Sequence, residues 1–183
     1  MNKLAMMLAV TGAFALSVPT APATASIETY EAKAAAADAA DMARSDMMAT
    51  FGKSRVKPGQ YLWRDVPESA GNERVVVSLA DQQAYLYRGN ELMAVAAVSS
   101  GTAKHPTPTG IFQVLEKKTM HHSRKYDNAP MPFMQRIDRF GVALHAGHNP
   151  GRPASHGCIR LPKEFAQKLF RTTSVGTQVM IGA

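Results

Sequence analysis

A single cysteine lies among histidines in a glycine-containing segment near the end of the sequence. Residues 145–162 read HAGHNPGRPASHGCIRLP, and Cys158 is the only cysteine in the chain. A thiol has a pKa of ~8.5 and becomes an effective nucleophile when a neighbouring imidazole accepts its proton. A short apolar run, Gly141–Leu144, leads directly into His145. The pattern therefore predicts acyl transfer, with Cys158 as the nucleophile and His145 as the base.

The residues beside Cys158 also predict a site for a developing oxyanion. Backbone N–H groups next to a nucleophile stabilise negative charge on a substrate carbonyl oxygen. Gly157 has no side chain that would obstruct such a carbonyl. We therefore expect the N–H groups of Gly157 and Cys158 to be the donors.

Other interpretations of these residues remain open at this point. A lone cysteine can be a buried small hydrophobe or form an intermolecular disulfide. Zinc is a further alternative, with His145, His148, His156 and Cys158 as four N and S ligands, although the His156-x-Cys158 spacing is too short for a structural zinc knuckle. The polar surroundings of Cys158 favour the reactive thiol.

Short β-rich runs precede and follow this segment. Val75–Val77, Ala84–Tyr87 and Leu92–Val98 are separated by turn-forming residues and predict an antiparallel meander. The later predicted elements are strands at Gly110–Leu115, Gly141–Leu144 and Thr177–Ile181 and a helix at Pro162–Phe170. Cys158 should therefore lie in a loop between a strand and a helix, while His145 follows the end of a strand.

The segment Lys117–Phe140 is long, polar and interrupted by two prolines, which predicts a lid or one wall of a cleft. Its basic residues either face anionic substrate groups or form a solvated surface; they are Lys117, Lys118, Arg124 and Lys125. We expect His121 and His122 to lie on the surface.

The first residues of the chain predict export. Residues 1–25 contain a lysine near the start, an apolar run from Leu4 to Val18 and the small-residue sequence Ala23-Thr24-Ala25, as in a signal peptide. The apolar run is too short to cross ~30 Å of hydrocarbon as a membrane anchor. We therefore expect cleavage after Ala25, no stable membrane insertion afterwards, and a location in the periplasm or cell wall.

Residues 26–72 form a separate unit of different composition. Tyr30–Phe51 is rich in alanine and predicts a helix, and Lys53–Asn72 contains prolines and glycines and predicts a linker. Because alanine side chains bury little area, we expect this arm to be a spacer or a loosely docked helix.

The net charge of the chain is +7, and it is +6 without residues 1–25, which hold one lysine and no acid. A basic exported protein meets an anionic cell-wall or membrane surface rather than nucleic acid. The sequence also lacks the combined aromatic and basic cluster that binds single strands. We therefore expect no nucleic-acid partner.

The sequence around Cys158 resembles a known family. Ser155-His156-Gly157-Cys158-Ile159-Arg160, with His145 upstream, is similar to the signature of the L,D-transpeptidase (YkuD-type) catalytic domain. Supporting matches are Ser100-Gly101, Thr107-Pro108-Thr109-Gly110, Ser123, Tyr126, Met131-Pro132 and Gly176-Thr177. The resemblance covers residues 73–183. The 13 positions from His145 to Cys158 are fewer than in typical members, which predicts a more open acceptor side of the cleft.

The resemblance implies a mostly β, sandwich-like fold with one or two short helices and no metal or other cofactor. Cys158 would attack the carbonyl of residue three of a peptidoglycan tetrapeptide stem, release D-alanine and pass the acyl group to an amine. His145 would move the proton, oriented by a third group such as a backbone carbonyl. The residues that would shape the substrate and oxyanion site are Ser155, His156, Gly157 and Arg160.

The nature of the acceptor leaves several activities open. A second stem as acceptor would give a 3-3 cross-link, whereas a D-amino acid or a protein would be exchanged or anchored at position three. Water as acceptor would make the same residues an L,D-carboxypeptidase or a cross-link hydrolase. A wall-binding module without activity is the alternative from a different class of protein.

Overall fold

The computed structural model describes residues 26–183, so the predicted signal peptide lies outside the described residues. In chain order the elements are β1 (Ser26–Ile27), α1 (Tyr30–Phe51), β2 (Tyr61–Trp63), a 3-10 turn (Glu68–Ala70), β3 (Glu73–Ser78), β4 (Gln83–Arg88), β5 (Glu91–Ala97), β6 (Gly110–Gln113), β7 (Glu116–His122), β8 (Pro130–Arg136), β9 (Ala143–Ala146), β10 (Ile159–Leu161), α2 (Lys163–Thr172) and β11 (Gln178–Gly182). This confirms the predicted mostly β fold preceded by an alanine-rich helix. Neither α1 nor α2 combines the length and apolar character that crossing a membrane requires.

Seven strands form the larger sheet, in the order β1-β6-β11-β3-β4-β5-β2. The predicted meander is confirmed, because β3, β4 and β5 are antiparallel neighbours. Side chains alternate along β3, so Val75 and Val77 enter one apolar cluster while Val76 enters another. The sheet is therefore buried on both faces.

Helix α1 covers one face of this sheet, which corrects the expectation of a loosely docked spacer. The helix begins after Thr29, whose Oγ1 accepts a hydrogen bond from the N–H of Ala32 at 3.3 Å, and it ends at Gly52 in the left-handed conformation. Its buried side chains recur every three or four residues and are Ala32, Ala36, Ala40, Ala43 and Met47. Methyl groups bury little area, but they let the helix backbone approach the sheet closely. Helix α1 is thus a layer of the core.

The predicted linker, Lys53–Asn72, also belongs to the fold. The backbone N–H of the buried Val56 donates a hydrogen bond to Oε1 of Gln83, and its carbonyl oxygen accepts one from Nε2 of Gln83, each at 3.1 Å. Strand β2 lies within the same segment and forms an edge of the large sheet against β5. The linker prediction was wrong because proline and glycine mark turns without indicating whether the residues between them reach a sheet edge.

Four strands form the second sheet, in the order β10-β9-β8-β7. Strands β7 and β8 form an antiparallel hairpin within the polar segment that predicted a lid or cleft wall. The two sheets and α2 share one apolar cluster, in which Leu86 and Phe112 of the large sheet meet Leu144 and Ile159 of the small one and Phe165 of α2. This packing confirms the sandwich-like arrangement.

Candidate active site

The predicted base lies on β9, and the predicted nucleophile immediately precedes β10, the adjacent parallel strand. Arg160 of β10 pairs with His145 of β9, and Cys158 lies just before β10. Register partners on neighbouring strands project from the same face of a sheet, so Arg160 and His145 share one face, and Cys158 lies at the start of β10 beside them. All three line one cleft. Strand β10 was absent from the sequence prediction, yet it is the element that fixes the position of Cys158 relative to His145.

His145 is buried, and a backbone carbonyl orients its imidazole. The Nδ1 atom lies 2.8 Å from the carbonyl oxygen of Ala146. This contact favours a proton on Nδ1 and leaves the Nε2 lone pair available. Burial lowers the pKa of His145 and outweighs the Ala146 hydrogen bond, which raises it, while the charges of Arg160 and His121 lower it further. The ring is therefore neutral at neutral pH and able to accept a proton.

Cys158 lies partly buried beside the turn that precedes β9. Its Sγ atom is 3.8 Å from the carbonyl oxygen of Gly141. Burial is the largest influence and raises the pKa of the Cys158 thiol, and the charge of Asp138 also raises it. A backbone hydrogen bond from Ala143 and the charge of Arg160 lower this pKa, but the net change is a rise. The thiol and the imidazole are therefore both neutral at rest.

Ser155 fixes the backbone that carries Cys158. Its buried Oγ donates a hydrogen bond to the carbonyl oxygen of Cys158 and accepts one from the N–H of Gly157 at 3.0 Å. Gly157 has φ +116°, a conformation that L side chains rarely adopt. Its N–H already has a partner and is not free for an oxyanion, which corrects the predicted donor role of Gly157. This glycine shapes the turn instead.

A second segment supports this loop, through residues to which the sequence assigned no role. The hydroxyl of Thr107 accepts a hydrogen bond from the N–H of Gly101 at 2.9 Å and donates one to the carbonyl oxygen of Gly157 at 2.8 Å. The side-chain amide of Gln82 contacts the backbone N–H and the hydroxyl of Ser100 at 2.9 and 2.7 Å. Ser100, Gly101 and Thr107 belong to the matching motif, which was a usable signal, whereas no pattern indicated Gln82.

His156 lies at the rim of the cleft and is exposed. Its ring stacks on Tyr126, with 4.3 Å between ring centroids and 18° between ring planes. The ring centroid of His105 lies 4.9 Å from that of His156. Tyr126 belongs to the turn between β7 and β8, so this stack joins the hairpin to the loop that carries Cys158. The position suits His156 to contacting substrate rather than to moving the thiol proton.

The cleft has a volume of about 850 Å³, which is within the usual range for a ligand site. The β7–β8 hairpin and the turn after β8 form its walls with the loop that carries Cys158. Its positively charged lining residues are Lys118, Arg124, Lys125, Arg136, Arg139 and Arg160. Glu116 also lines the cleft and pairs with Lys118 at 2.7 Å and Arg136 at 2.9 Å. The excess of positive charge favours an anionic ligand.

Two residues of the hairpin lie elsewhere than expected. Lys117 does not line the cleft, because its Nζ donates hydrogen bonds to the carbonyl oxygens of Phe170, at 2.6 Å, and Thr173 near the C-terminal end of α2. His121, expected on the surface, is half-buried and lines the cleft. Consecutive strand residues face opposite sides, so the adjacent Lys118 points into the cleft and Lys117 away from it.

No three His, Cys, Asp or Glu side chains within residues 26–183 are arranged to hold a metal ion. Of the residues considered as zinc ligands, His145 is buried on β9, whereas His148 and His156 are exposed. The zinc interpretation therefore gains no support from the described geometry.

Comparison with known proteins agrees with this geometry. A family model described as YkuD, L,D-transpeptidase catalytic domain, matches residues 72–181. Similar solved structures include an L,D-transpeptidase from Mycobacterium smegmatis, with 24% identity, a TM-score of 0.56 and coverage of 61% of this chain and 59% of that chain. An L,D-transpeptidase from Stackebrandtia nassauensis has 22% identity, a TM-score of 0.57 and coverage of 77% and 64%.

A third structure, an L,D-transpeptidase from Xylanimonas cellulosilytica, has 26% identity, a TM-score of 0.55 and coverage of 65% of this chain and 64% of that chain. The matched region thus spans less than two thirds of the length of each of these three proteins. No curated protein matches the chain. Because the family model matches more than half of the sequence, the chain belongs to the YkuD family of L,D-transpeptidase catalytic domains.

Proposed function

We propose that this protein is an exported L,D-transpeptidase that acts on peptidoglycan tetrapeptide stems through a thioester on Cys158. The observation that carries the proposal is that Cys158, immediately before β10, and His145, on β9, line the same cationic cleft. Family membership supports the reaction class. Stem peptides carry carboxylates, which suits the positive lining, and the signal-peptide pattern of residues 1–25 supports export.

Acylation begins with both reacting groups neutral. As the Cys158 sulfur bonds to the carbonyl carbon of residue three of the stem, its proton passes to Nε2 of His145. The contact between Nδ1 and the Ala146 carbonyl holds the ring in the required tautomer. The tetrahedral intermediate then expels the amine of D-alanine, which takes the proton from His145. One amide bond breaks, one thioester bond forms, and no external energy source is consumed.

Transfer to the acceptor reverses this proton movement. An incoming amine attacks the thioester carbonyl and gives its proton to His145, and the departing sulfur recovers that proton as the new amide forms. The N–H of Cys158 and the guanidinium of Arg160, which projects from the same face as His145, are the donors that we assign to the oxyanion. Ser155 and Gly157 set the path of the backbone, and His156 contacts substrate at the rim.

Product analysis with defined stems tests this proposal. Protein without residues 1–25 is incubated with tetrapeptide or pentapeptide muropeptides, and the products are identified by mass spectrometry. We expect tetrapeptides to give dimers joined through two third residues, or exchanged stems when a free D-amino acid is supplied. Pentapeptides should give neither product, because the leaving group of the position-three bond would be a dipeptide instead of one D-alanine.

Two outcomes would replace the proposal with an alternative. Tripeptide as the sole product would identify water as the acceptor and the protein as an L,D-carboxypeptidase. Binding to intact sacculi with no product from any stem would leave a wall-binding module. Cys158→Ala is the matched control: it should bind stems and form no product, since the substitution removes the sulfur while leaving the shape and charge of the cleft.

A further inference from the structure

Asp138 is a buried carboxylate that closes the turn between β8 and β9. Its Oδ1 accepts hydrogen bonds from the N–H groups of Phe140, at 2.9 Å, and Val142, at 2.8 Å. Its backbone carbonyl oxygen accepts a third bond from Arg136 at 2.9 Å. A side chain that is only 5% exposed thus organises the whole turn.

Gly141 lies between the two residues whose N–H groups contact Asp138. Its carbonyl oxygen is the group 3.8 Å from Sγ of Cys158, within the range of a weak S–H···O hydrogen bond. The position of this carbonyl depends on the conformation of the turn, and the conformation of the turn depends on Asp138. A chain of contacts therefore links a buried carboxylate to the reactive sulfur.

We propose that Asp138 is a positioning residue for Cys158: it fixes the turn so that the Gly141 carbonyl accepts a hydrogen bond from the thiol in the resting site. The negative charge of Asp138 also disfavours the thiolate. The thiol therefore stays protonated until a bound substrate engages it and His145 takes the proton. This inference rests on the proposed function only in treating Cys158 as the nucleophile. It adds a resting state in which the sulfur is held away from reaction.

The charges around the sulfur support this resting state. Burial is the largest cause that raises the pKa of Cys158, and the negative charge of Asp138 raises it further. A backbone hydrogen bond from Ala143 and the charge of Arg160 of β10 act in the opposite sense, but the net change is a rise, and His145 of β9 is neutral. Because the thiolate is the form that reacts with oxidants and alkylating agents, a protonated thiol is protected in an oxidising compartment.

Alkylation of the protein's single cysteine tests the proposal without any substrate. The rate of iodoacetamide addition is measured by intact-protein mass spectrometry across a range of pH. Asp138→Asn keeps an acceptor oxygen for the two N–H groups and removes the charge, whereas Asp138→Ala removes both. We expect Asp138→Asn to react several-fold faster than wild type at pH 7, with its inflection at lower pH, and to retain stem acylation.

For Asp138→Ala we expect faster alkylation together with acylation slowed by on the order of tenfold, because the turn loses its anchor. Asp38→Asn is the matched control: it removes the same charge from an exposed site on α1 and should leave the profile unchanged. An alkylation profile of Asp138→Asn identical to that of wild type would overturn the proposal, even if Asp138→Ala fails to fold. A shifted profile in a protein inactive on every stem would contradict the proposed function and leave this inference standing.

Discussion

The two faces of the seven-stranded sheet are covered in different ways. On one face, α1 contributes mainly methyl groups, and its backbone comes so close that a Cβ on Gly182 would lie 2.6 Å from the carbonyl oxygen of Ala36. On the other face, large side chains such as Phe112 and Phe165 fill the space beneath the second sheet and α2. The cleft is built on the second sheet. The helix layer therefore packs against the seven-stranded sheet without lining the cleft, whereas the second sheet both packs against it and lines the cleft.

The largest expected effect is on the side of the second sheet, where a substitution should lower activity but not stability. His145→Ala should slow acylation of Cys158 by on the order of 10²-fold or more, because the thiol loses its proton acceptor. Thermal unfolding should remain cooperative, which circular dichroism can check. His156→Ala is the comparison and should have the smaller effect on the rate. A larger loss in His156→Ala than in His145→Ala would mean that the rim histidine is the base.

A smaller effect should appear on the face against α1, where a substitution should change stability but not activity. Ala36→Leu should lower the free energy of unfolding by about 1–3 kcal/mol, because no space exists between the helix and β11. The acylation rate of the folded protein should not change. Ala35→Leu adds the same atoms at an exposed position of the helix and should change stability by less than about 0.5 kcal/mol. Equal denaturation midpoints for the two variants would support the original expectation that α1 is loosely docked.

The smallest effect distinguishes two tyrosines of β4 that both pack toward α1. Tyr87 donates a hydrogen bond to the Asp46 carboxylate at 2.7 Å, whereas the buried hydroxyl of Tyr85 has no partner within residues 26–183. Tyr87→Phe should cost about 1 kcal/mol, and Tyr85→Phe should be neutral or stabilising. Urea denaturation of both variants measures the difference. A greater loss for Tyr85→Phe would contradict this account of how α1 is held.

The features that the sequence predicted are those with strong local signals. The strands of the meander show β-rich runs between turns, and the predicted site residues that line the cleft, His145, His156 and Cys158, lie close together in the chain. Hydrophobic content did not predict β7, because its sequence EKKTMHH has little apolar character. This strand is stabilised by pairing with β8. It failed again for β10, which is only three residues long.

Docking of α1 was not predictable for a different physical reason. Helix propensity is a local property, whereas the close approach of Ala36 to Gly182 depends on two residues far apart in the sequence. Gln82 was missed in the same way, since its partner Ser100 follows an intervening pair of strands. Long-range contacts between small or polar residues leave no periodic signal.

Intact-protein mass spectrometry of the acyl-enzyme tests the central claim most directly. Wild-type protein is mixed with a tetrapeptide stem whose side-chain amine at residue three is acetylated so that it cannot act as an acceptor, and the mixture is quenched in acid and mapped after proteolysis. We predict a mass increase equal to the acetylated tripeptide acyl group on the peptide that contains Cys158. The adduct should be absent from Cys158→Ala and should form slowly in His145→Ala. Turnover of tetrapeptide by Cys158→Ala, or a wild-type adduct on any other residue, would contradict the claim that Cys158 is the nucleophile.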